Sequence, residues 1–565
     1  MGNTFPWHHL YPQDAPHDID PDKYASIVDL FSEAVKKYSD RPAFGNFGHR
    51  ISYAETDKLA HHFAQYLIHD CGIEPGDRVA IMLPNILAYP IAMLGALMAG
   101  AAVVNVNPQY TPRELTHQLV DSGAKVMVAL RHLIPVAQEV LGKTLVEKLI
   151  CAEVGDLLKP AKGFLINNAI RLKGPKVDTR LLKDTVAFTH CLKQGRKLSN
   201  AHGETLPKVT SAGIAFLQYT GGTTGLSKGA ILTHRNIVAN VLQISAFFVG
   251  RVEPGKEIVI TALPLYHIYA LTFNCFSFLH HGALNYLITD PRDAKRFIKD
   301  IKRIPFTAFS GVNTLYNLLM TEPSFSKLDF SHLKYAGSGG MATQSAVAER
   351  WEEKTGIALG ESYGLTEASP AVCSVPPSIN YFTGSVGVPL PSTECSIHDE
   401  QGRELGVLEP GELWVKGPQV MQGYWRNAEA TANTITANGW LKTGDIASID
   451  EKGLVRIVDR VKDIIIVSGF NVYPNEIEDI AVKHPAVNEA AVIGVPDEKT
   501  GEAVVLVVVS KDSALDEANL VEFCRAELTA YKKPSKVVFV DALPKSNVGK
   551  ILRREVRDLL VKIDT

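Results

Sequence analysis

A loop rich in glycine and hydroxyl side chains is the first candidate for chemistry in this sequence. It reads LQYTGGTTGLSKG over residues 217–229 and begins with an apolar run. Glycine lets backbone N–H groups approach phosphate oxygens closely, hydroxyl side chains add donors, and lysine adds positive charge. We therefore predict that a nucleotide polyphosphate is bound by Thr220, Gly221, Gly222, Thr223, Thr224, Gly225 and Lys228.

The spacing of this loop differs from that of an ordinary P-loop. The Walker A pattern requires a glycine followed directly by lysine, whereas Leu226 holds that glycine position here and Ser227 stands before the lysine. An ordinary P-loop NTPase is therefore disfavoured. The remaining alternative is a turn without a ligand, because glycine and threonine are common in loops.

A second glycine-rich segment, GSGGM at 337–341, indicates a different chemistry. Gly337, Gly339 and Ala342 fit a GxGxxA dinucleotide fingerprint before a helical pattern, and Glu361 lies near the place of a ribose-binding acid. This reading would make the protein an oxidoreductase. It is the weaker alternative, because the first loop is absent from dinucleotide-binding folds.

The loop YTGGTTGLSKG resembles the signature loop of the adenylate-forming enzymes, which include acyl-CoA synthetases, firefly-type luciferases and amino-acid adenylation domains. YGLTE at 363–367 resembles the second core motif of that superfamily. The resemblance implies that Tyr363 lines the adenine, that Thr366 contacts phosphate, and that Glu367 holds Mg²⁺ together with Thr223. Glutamate suits this role because Mg²⁺ prefers carboxylate oxygen.

The block NGWLKTGDIASIDEKGLVRIVDRVKD at 438–463 is similar to a stretch regarded as a signature of fatty acyl-CoA synthetases. The resemblance implies that Asp445 accepts both ribose hydroxyls of ATP and that Arg460 donates to the same ribose. A carboxylate suits a vicinal diol because it offers two acceptor oxygens. The alternative is that Asp445 is an ordinary turn residue and Arg460 an ordinary surface residue, neither of which binds ATP.

The resemblance also assigns roles near the C-terminus. Lys550 in PKSNVGKILRRE matches the adenylation lysine, a cation that would bridge the fatty carboxylate and the α-phosphate of ATP. On charge alone it would be a solvated lysine in a basic tail, beside Arg553 and Arg554. Gly469 matches the loop along the pantetheine arm of CoA, and Lys462 occupies the hinge position. Because Gly469 and Lys550 serve different half-reactions from one small domain, we expect that domain to turn between two orientations.

The acyl site is expected around three residues. PLYHIYA at 264–270 matches a PLxH segment of the family, which places His267 near the substrate carboxylate, where we expect it to shape the pocket. The resemblance also implies that the loop with Gly337 and Gly339 borders both the adenine of ATP and the acyl chain, and Gly311 is expected to border the acyl chain. The chain resembles bacterial long-chain fatty acid CoA ligases over nearly its whole length, and each buried methylene contributes roughly 0.8 kcal/mol. A long-chain acid is therefore the expected substrate.

The elements that must position these residues follow from periodicity. Short apolar strands followed by amphipathic helices predict α/β layers with mostly parallel sheet, and alternating segments after about 384 predict a β-rich subdomain. We place a large ATP- and acyl-binding domain at 1–460, with the β-rich part at about 384–460. A small α+β domain at 461–565 carries the lysine and the CoA loop.

Composition narrows the setting of the protein. The 565 residues carry a net charge of −3, so no global field attracts nucleic acid, and a nucleic-acid partner is not expected. The seven cysteines are scattered without a CxxC pair, and the N-terminal residues lack the pattern of a secretory signal. We therefore expect a cytoplasmic protein.

Two segments raise the question of a membrane. No charged residue lies between Arg78 and Arg113, and we read this stretch as a buried βαβ unit rather than a transmembrane helix. Residues 159–183 carry seven basic residues and one acidic residue, with apolar residues between them. This segment either contacts the anionic inner face of the cell membrane peripherally or forms a basic surface exposed to solvent.

These inferences combine into a two-step ligase that uses ATP, Mg²⁺ and CoA to convert a fatty acid into acyl-CoA through an acyl-adenylate. Three alternatives stay open at this stage. They are a ligase that loads a carrier protein, an oxidoreductase of luciferase or dinucleotide type, and a nucleotide-binding protein without turnover. A homodimer is also left open.

Overall fold

The computed structural model describes residues 5–203, 205–220, 227–497, 499–546 and 549–563. Within these residues the strands form sheets of nine, seven, five and four strands. The predicted fold class is confirmed: a large domain of α/β layers with a β-rich subdomain is followed by a small α+β domain.

The first part of the chain, in its described residues, contains nine strands. The first two, β1 and β2, join the nine-stranded sheet, and the other seven form the seven-stranded sheet. Its elements are α1 (Ile27–Tyr38), β1 (Pro42–Asn46), β2 (His49–Ser52), α2 (Tyr53–His69), β3 (Arg78–Met82), α3 (Ala88–Met98), β4 (Ala102–Asn105), α4 (Pro112–Ser122), β5 (Val126–Leu130), α5 (Ile134–Leu141), β6 (Lys148–Ala152), α6 (Pro160–Lys173), β7 (Val186–Ala187), α7 (Phe188–His202), β8 (Ile214–Thr220), β9 (Lys228–Thr233) and α8 (His234–Phe247). The strand order is β7-β6-β5-β3-β4-β8-β9, parallel except for the β8–β9 hairpin.

The predicted βαβ unit between Arg78 and Arg113 is confirmed. β3 and β4 pair in parallel with Arg78 opposite Ala102, and α3 connects them with every one of its residues buried. A helix buried on all sides needs no polar face, which explains the long stretch without charge. Among the described residues, no helix has both the length and the apolar character needed to cross a membrane.

The next part builds the nine-stranded sheet, whose central strands are parallel. Its elements are β10 (Ile258–Thr261), a π-helical segment (Ala270–Ser277), α9 (Phe278–His280), β11 (Leu284–Leu287), α10 (Ala294–Ile301), β12 (Ala308–Gly311), α11 (Asn313–Thr321), β13 (Tyr335–Gly339), α12 (Ser345–Thr355), β14 (Leu359–Gly364), β15 (Ala371–Ser374) and β16 (Val388–Pro389). The order is β16-β15-β14-β13-β12-β10-β11-β1-β2, with antiparallel pairs at both edges. Ligands of such sheets bind at the carboxyl ends of the parallel strands.

Residues 394–460 form the four-stranded antiparallel sheet of the β-rich subdomain. Its elements are β17 (Glu394–His398), β18 (Gly411–Lys416), α13 (Ala428–Thr434), β19 (Leu441–Ile449) and β20 (Val455–Arg460). The burial of β18 alternates strictly along the strand, as expected for a sheet with one face against a core.

The small domain begins after a short turn at Val461–Asp463. Its elements are β21 (Ile465–Val467), β22 (Phe470–Val472), α14 (Pro474–Ala481), β23 (Val487–Asp497), β24 (Gly501–Ser510), α15 (Glu517–Glu527), β25 (Lys536–Phe539) and α16 (Arg553–Ile563). Its core is separate from that of the large domain and includes Ile477, Val492, Leu506 and Leu520. A domain with its own core can turn as a unit.

Candidate active site

The predicted phosphate loop connects β8 to β9. Thr220 ends β8 and pairs with Lys228, the first residue of β9, so the two described ends of the loop lie opposite each other. Gly221, Gly222, Thr223, Thr224 and Gly225 lie outside the described residues. The carbonyl of Ser227 is fixed by a ring nitrogen of His117 at 2.8 Å, which orients the chain as it leaves the loop.

Tyr424 joins the phosphate loop to the predicted magnesium residue. Its hydroxyl donates a 2.7 Å hydrogen bond to Oε1 of Glu367, and Nζ of Lys228 lies 5.1 Å from the centre of its ring. Burial raises the pKa of Tyr424, and Glu367 raises it further, so this phenol stays protonated as a donor. Sequence reasoning missed Tyr424 as a site residue. The segment that carries it, KGPQVMQGYW at 416–425, is part of the overall resemblance to bacterial long-chain fatty acid CoA ligases, but that resemblance assigns no role to the tyrosine.

Thr366 and Glu367 lie in a short 3₁₀ turn, Thr366–Ala368, just beyond the carboxyl end of β14. The backbone of Glu367 is held from the other side, because the N–H of Met421 donates to its carbonyl at 2.8 Å. Both residues therefore stand at the edge of the sheet where ligands of parallel sheets bind. Glu367 and Lys228 both contact Tyr424, which connects the glutamate to the described end of the phosphate loop.

Glycines in β12 and β13 make room for neighbouring aromatic rings. A Cβ atom on Gly339 would lie 3.0 Å from the carbonyl oxygen of Ser362 and 3.4 Å from the Tyr269 ring. A Cβ on Gly337 would lie 2.8 Å from the Tyr335 ring, and one on Gly311 would lie 3.0 Å from the Tyr316 ring. Larger residues would push these rings away, so the glycines set the shape of the cleft.

The aromatic rings beside these glycines form a continuous wall. Tyr269 contacts Phe273 with ring centres 5.9 Å apart, Phe273 contacts Tyr335 at 5.9 Å, and Tyr335 contacts Phe248 at 5.1 Å. Tyr269 precedes the π-helical segment, and Phe273 lies within it. π-helical turns are often found at functional sites. This wall is apolar and extends away from Gly339.

Asp445 and Arg460 are neighbours on two adjacent strands of the β-rich subdomain. They are paired in register on β19 and β20, and Nε of Arg460 lies 3.4 Å from Oδ1 of Asp445. The hydroxyl of Tyr363, at the end of β14, donates to Oδ2 of Asp445 at 2.6 Å. Burial and the Asp445 charge raise the pKa of Tyr363, which keeps its phenol protonated. The structure therefore brings these three predicted residues together.

Lys550 reaches from the small domain to this same cluster. Burial lowers the pKa of its ammonium group to about 7, Arg460 and Lys462 lower it further, and Asp445 opposes them. The pKa of His267 is lowered to about 4, first by burial and then by the charge of Lys550. Lys550 and His267 are thus close enough to interact, and His267 is neutral near pH 7.

The segment that carries His267 is held by buried hydrogen bonds. Nδ2 of Asn85 donates to the carbonyls of Thr261 and Leu263 at 3.0 and 2.9 Å, and the hydroxyl of Tyr89 donates to the carbonyl of Leu265 at 2.8 Å. These donors come from the chain between β3 and β4, so the seven-stranded sheet positions a loop of the nine-stranded one.

The predicted hinge residue, Lys462, lies at the border of the Asp445 cluster, and the predicted CoA-loop residue, Gly469, lies apart from it. Lys462 lies in the turn between the domains, and burial together with Arg460 lowers its pKa. Gly469 lies in the tight turn between β21 and β22 with a φ of +83°, and the space beside it is open to 4 Å. In this orientation the small domain presents Lys550 to the site, and Gly469 is not brought to it.

Glu361, the acid of the dinucleotide alternative, is only 6% exposed on β14. Burial raises its pKa to about 8, although Thr343 lowers it. A neutral, buried carboxyl group is a poor acceptor for ribose hydroxyls. The geometry of this residue therefore gives the oxidoreductase alternative no support.

The described residues place cations and carboxylates at two points, around Tyr424 and around Asp445, which are joined by the segment 363–367. Lys228, Arg460 and Lys550 supply positive charge, and Glu367 and Asp445 supply carboxylate oxygens. Such a set suits a polyphosphate with a ribose and an attached cation. It also suits a reaction in which two anions meet.

Comparisons with known proteins agree with this geometry. Residues 31–425 match the family model of the AMP-binding enzymes, and residues 476–550 match that of the AMP-binding enzyme C-terminal domain. A long-chain-fatty-acid CoA ligase of Escherichia coli O157:H7 is 50% identical over 552 residues, which is 98% of each chain. A protein of the same name from Bacillus subtilis strain 168 is 37% identical over 98% of each chain.

Solved structures share the architecture. ATP-bound MatB from Rhodopseudomonas palustris is 29% identical, with a TM-score of 0.81 over 95% of this chain and 100% of that one. The anthranilate CoA ligase AuaEII in complex with anthranoyl-AMP has a TM-score of 0.84 at 22% identity over 96% and 99% of the two chains, a likeness of fold. By its sequence over most of its length, this chain belongs to the AMP-binding enzyme family.

Proposed function

We propose that this protein is a long-chain fatty acid CoA ligase that converts ATP, a fatty acid and CoA into AMP, pyrophosphate and acyl-CoA. The observation that carries this proposal is the 50% identity to a long-chain-fatty-acid CoA ligase across 98% of both chains. The geometry supports it, because Asp445 is paired with Arg460, both charges act on Lys550, and the charge of Lys550 acts on His267.

In the first half-reaction, a carboxylate oxygen of the fatty acid attacks the α-phosphorus of ATP, and the bond to pyrophosphate breaks. Both reactants are anions, so their approach is opposed by repulsion. Lys550 is proposed to lie between them as a cation, and Arg460 and Asp445, which are paired at 3.4 Å, are proposed to hold the ribose end of the nucleotide. Charge that is already in place costs no reorganisation in the transition state.

The second half-reaction transfers the acyl group. The thiolate of CoA attacks the acyl carbon of the adenylate, the bond to the AMP phosphate oxygen breaks, and AMP leaves. Gly469 is proposed to lie beside the pantetheine arm, and its open position on the hairpin allows close backbone approach. Since Lys550 occupies the site in the present orientation, the small domain must turn about Lys462 between the two steps.

Mg²⁺ is proposed as the cation that accompanies ATP. Among the described residues, no group of three or more His, Cys, Asp or Glu side chains could hold a metal ion. Mg²⁺ is usually bound by one or two carboxylates together with substrate phosphates, and Glu367 supplies one such carboxylate. Glu367 and Thr223 are the protein groups proposed to hold it, and the ion would neutralise phosphate charge.

The acyl chain is proposed to lie along the aromatic wall formed by Tyr269, Phe273, Tyr335 and Phe248. Gly339 allows the Tyr269 ring of this wall to pack closely against β13, because a Cβ there would lie 3.4 Å from that ring. Gly311 is proposed to border the acyl chain as well. Each methylene that enters contributes roughly 0.8 kcal/mol. A long acyl chain therefore gains more binding free energy than a short one. A preference for long chains also agrees with the names of the relatives.

The reaction is tested by pyrophosphate release and acyl-CoA formation with fatty acids of graded length. We expect acid-dependent pyrophosphate release that is fastest with long chains, followed by transfer to CoA. Transfer to a carrier-protein phosphopantetheine in preference to CoA would support a carrier-protein ligase instead. Oxygen uptake or reduction of a dinucleotide would support an oxidoreductase, and no acid-dependent pyrophosphate release would refute the ligase.

We also propose that residues 159–183 contact an anionic membrane from the cytoplasmic side. The outward face of α6 is apolar: Phe164 and Leu165 are each 68% exposed, and Leu172 is 86% exposed. The opposite face is fixed to the protein, because Gly163 packs against Gly155. The segment also carries seven basic residues, of which Arg171 pairs with Glu153 and Arg180 pairs with Asp178. The seven are Lys159, Lys162, Arg171, Lys173, Lys176, Arg180 and Lys183. An apolar stripe with a basic border is typical of interfacial helices.

Co-sedimentation with vesicles tests this contact. We expect the protein to sediment with vesicles that contain phosphatidylglycerol, less with neutral vesicles, and less when Phe164, Leu165 and Leu172 are changed to Ser. A matched control changes Leu145, Val407 and Leu408, which are also exposed but lie elsewhere. Equal sedimentation of both triple variants would exclude α6 as the contact.

A further inference from the structure

A buried charged cluster lies at the junction of the two domains. At its centre is Arg553, the first residue of α16, whose side chain is only 14% exposed. Its Nη2 lies 2.9 Å from Oε2 of Glu478, and its Nη1 lies 3.2 Å from Asp463 and 3.5 Å from Asp459. It also donates to Oδ1 of Asn475 at 2.6 Å.

This cluster spans the hinge. Asp459 lies in β20 of the large domain, before Lys462, whereas Asn475 and Glu478 lie in α14 of the small domain. The Asp459 side chain is fully buried, and Oδ2 accepts from the backbone N–H of Asn475 at 2.8 Å. A turn of the chain at Lys462 would change the contacts of Asp459 but leave the pair of Arg553 and Glu478 inside the small domain.

The cost of burying these charges indicates what the cluster does. Burial raises the pKa of Asp459 and of Glu478, and the nearby Arg553 charge only partly offsets this. Buried ion pairs often add little net stability and instead favour one arrangement over others. A cluster of this kind at a hinge is therefore suited to selecting one orientation of the small domain.

Arg553 is rigidly connected to Lys550. The amide of Lys550 donates to Oγ of Ser546 at 3.1 Å, and its carbonyl accepts from the amide of Ser546 at 2.7 Å. The amide of Leu552 then donates to the carbonyl of Pro544 at 3.0 Å. The position of Arg553 is thus transmitted through a tight turn to the lysine that enters the active site.

We propose that Arg553 is a positioning residue that fastens the small domain to Asp459 and so directs Lys550 into the nucleotide site for the adenylation half-reaction. This proposal rests on the proposed ligase function. The clasp, defined as Arg553 with Asp459 and Asn475, belongs to the adenylation orientation. The second half-reaction, which uses the other orientation, does not depend on it.

The test compares Arg553→Gln with Arg554→Gln, since Arg554 is the adjacent arginine but is exposed. Adenylation is measured as pyrophosphate release in a single turnover without CoA, and transfer is measured from supplied acyl-adenylate and CoA. Because a misplacement of about 1 Å can cost 10²-fold in rate, we expect adenylation by Arg553→Gln to fall by about that factor. Its transfer rate and its KM for ATP should change little, and Arg554→Gln should resemble wild type.

Asp459→Asn is the second variant, because it weakens the cross-hinge contact and leaves the small domain intact. It should show the same selective loss, and Arg553→Lys should recover part of the adenylation rate. Equal losses in both half-reactions, or no loss in adenylation, would overturn the proposal.

A readout without turnover separates this proposal from the ligase assignment. The carbonyl of Gly549 lies 3.4 Å from Oγ1 of Thr314, at the start of α11, so docking shields that turn. We expect hydrogen exchange of a peptide over 312–318 to be faster in Arg553→Gln than in wild type and unchanged in Arg554→Gln. Unchanged exchange in Arg553→Gln would refute the clasp, whereas a wild type that forms no adenylate would refute the ligase function alone.

Discussion

The hydroxyl of Tyr363 donates a 2.6 Å hydrogen bond to Oδ2 of Asp445, and this bond joins the nine-stranded sheet to the β-rich subdomain. The other oxygen of Asp445 faces Nε of Arg460 at 3.4 Å. The carboxylate proposed to bind ribose is therefore oriented from two sides before ATP arrives. Such preorganisation reduces the cost of binding.

Tyr363→Phe should weaken ATP binding more than it slows chemistry. A hydrogen bond to a charged group is worth about 1.5–3 kcal/mol, so we expect KM for ATP to rise about tenfold or more with little change in kcat. Tyr53→Phe is the matched control, because its buried hydroxyl donates to the carbonyl of Ala283 at 2.8 Å, away from the site. An unchanged KM in Tyr363→Phe would contradict the role of this bond.

Lys550→Ala should remove adenylation and spare transfer. Loss of one preorganised charge-stabilising group costs about 10²–10³ in kcat, and we expect a loss of that size in pyrophosphate release without CoA. Acyl-CoA formation from supplied acyl-adenylate should continue. Lys545→Ala is the control, since that lysine pairs with Glu489 instead of entering the site. A loss of transfer equal to that of adenylation would argue against the assignment of Lys550.

The pH dependence of adenylation should report Lys550. Its pKa is about 7 in the free enzyme, lowered by burial and then by Arg460, so the cation is lost as pH rises through that value. We expect kcat/KM for pyrophosphate release to fall above about pH 7. Lys550→Arg should abolish this fall, because arginine stays charged. A wild-type profile that is flat to pH 9 would contradict the prediction.

A rise in pH is expected to favour docking of the small domain, although it is expected to slow adenylation. A lysine with a lowered pKa binds fewer protons in the docked orientation than in an exposed one, so docking is favoured as pH rises from about 7 to 10.5. Below about pH 7 the full penalty of burying the cation is present. The expected loss of activity above pH 7 therefore reflects the loss of the proton and not undocking. Hydrogen exchange over 312–318 at several pH values separates the two effects.

Gly549→Ala and Gly469→Ala should affect different half-reactions. Both glycines have φ near +80°, so alanine at either position is strained by about 1 kcal/mol or more. A Cβ on Gly549 would also lie 2.1 Å from Oγ1 of Thr314 in the large domain, whereas no atom lies within 4 Å of one on Gly469. We expect Gly549→Ala to slow adenylation about tenfold or more and Gly469→Ala to slow only transfer.

Stopped-flow measurement of the two half-reactions checks this pair, with each variant serving as the control of the other. Both substitutions place alanine in the left-handed region, so a general effect of backbone strain would appear equally in both. Similar losses in adenylation would show that the contact with Thr314 is unimportant.

Several features of fold and site were predictable because they depend on local pattern. The uncharged stretch of α3 and its flanking strands indicated a buried βαβ unit, since polar groups are absent only where no solvent face exists. The glycine loop after β8 and the YGLTE motif at the end of β14 indicated nucleotide chemistry. The roles assigned to the individual motif residues remain predictions.

Tyr424 and Arg553 show what such patterns leave out. Tyr424 links Lys228 to Glu367 only because a distant loop folds back across β9. Arg553 and Arg554 are identical side chains in one basic tail, and their adjacent positions give no reason to expect different roles. The first turn of α16 directs Arg553 into the hinge and leaves Arg554 exposed.

The sequence by itself determined the fold class and the family, because both depend on residue types and patterns that are local in the chain. Only the tertiary structure decided which orientation the small domain takes, and which charges meet at Lys550. Those contacts join residues far apart in the chain, such as His267, Asp445 and Lys550, and their pKa values depend on burial. Local pattern can indicate that a whole element such as α3 is buried, but it does not show which distant side chains meet or how far each charged group is buried.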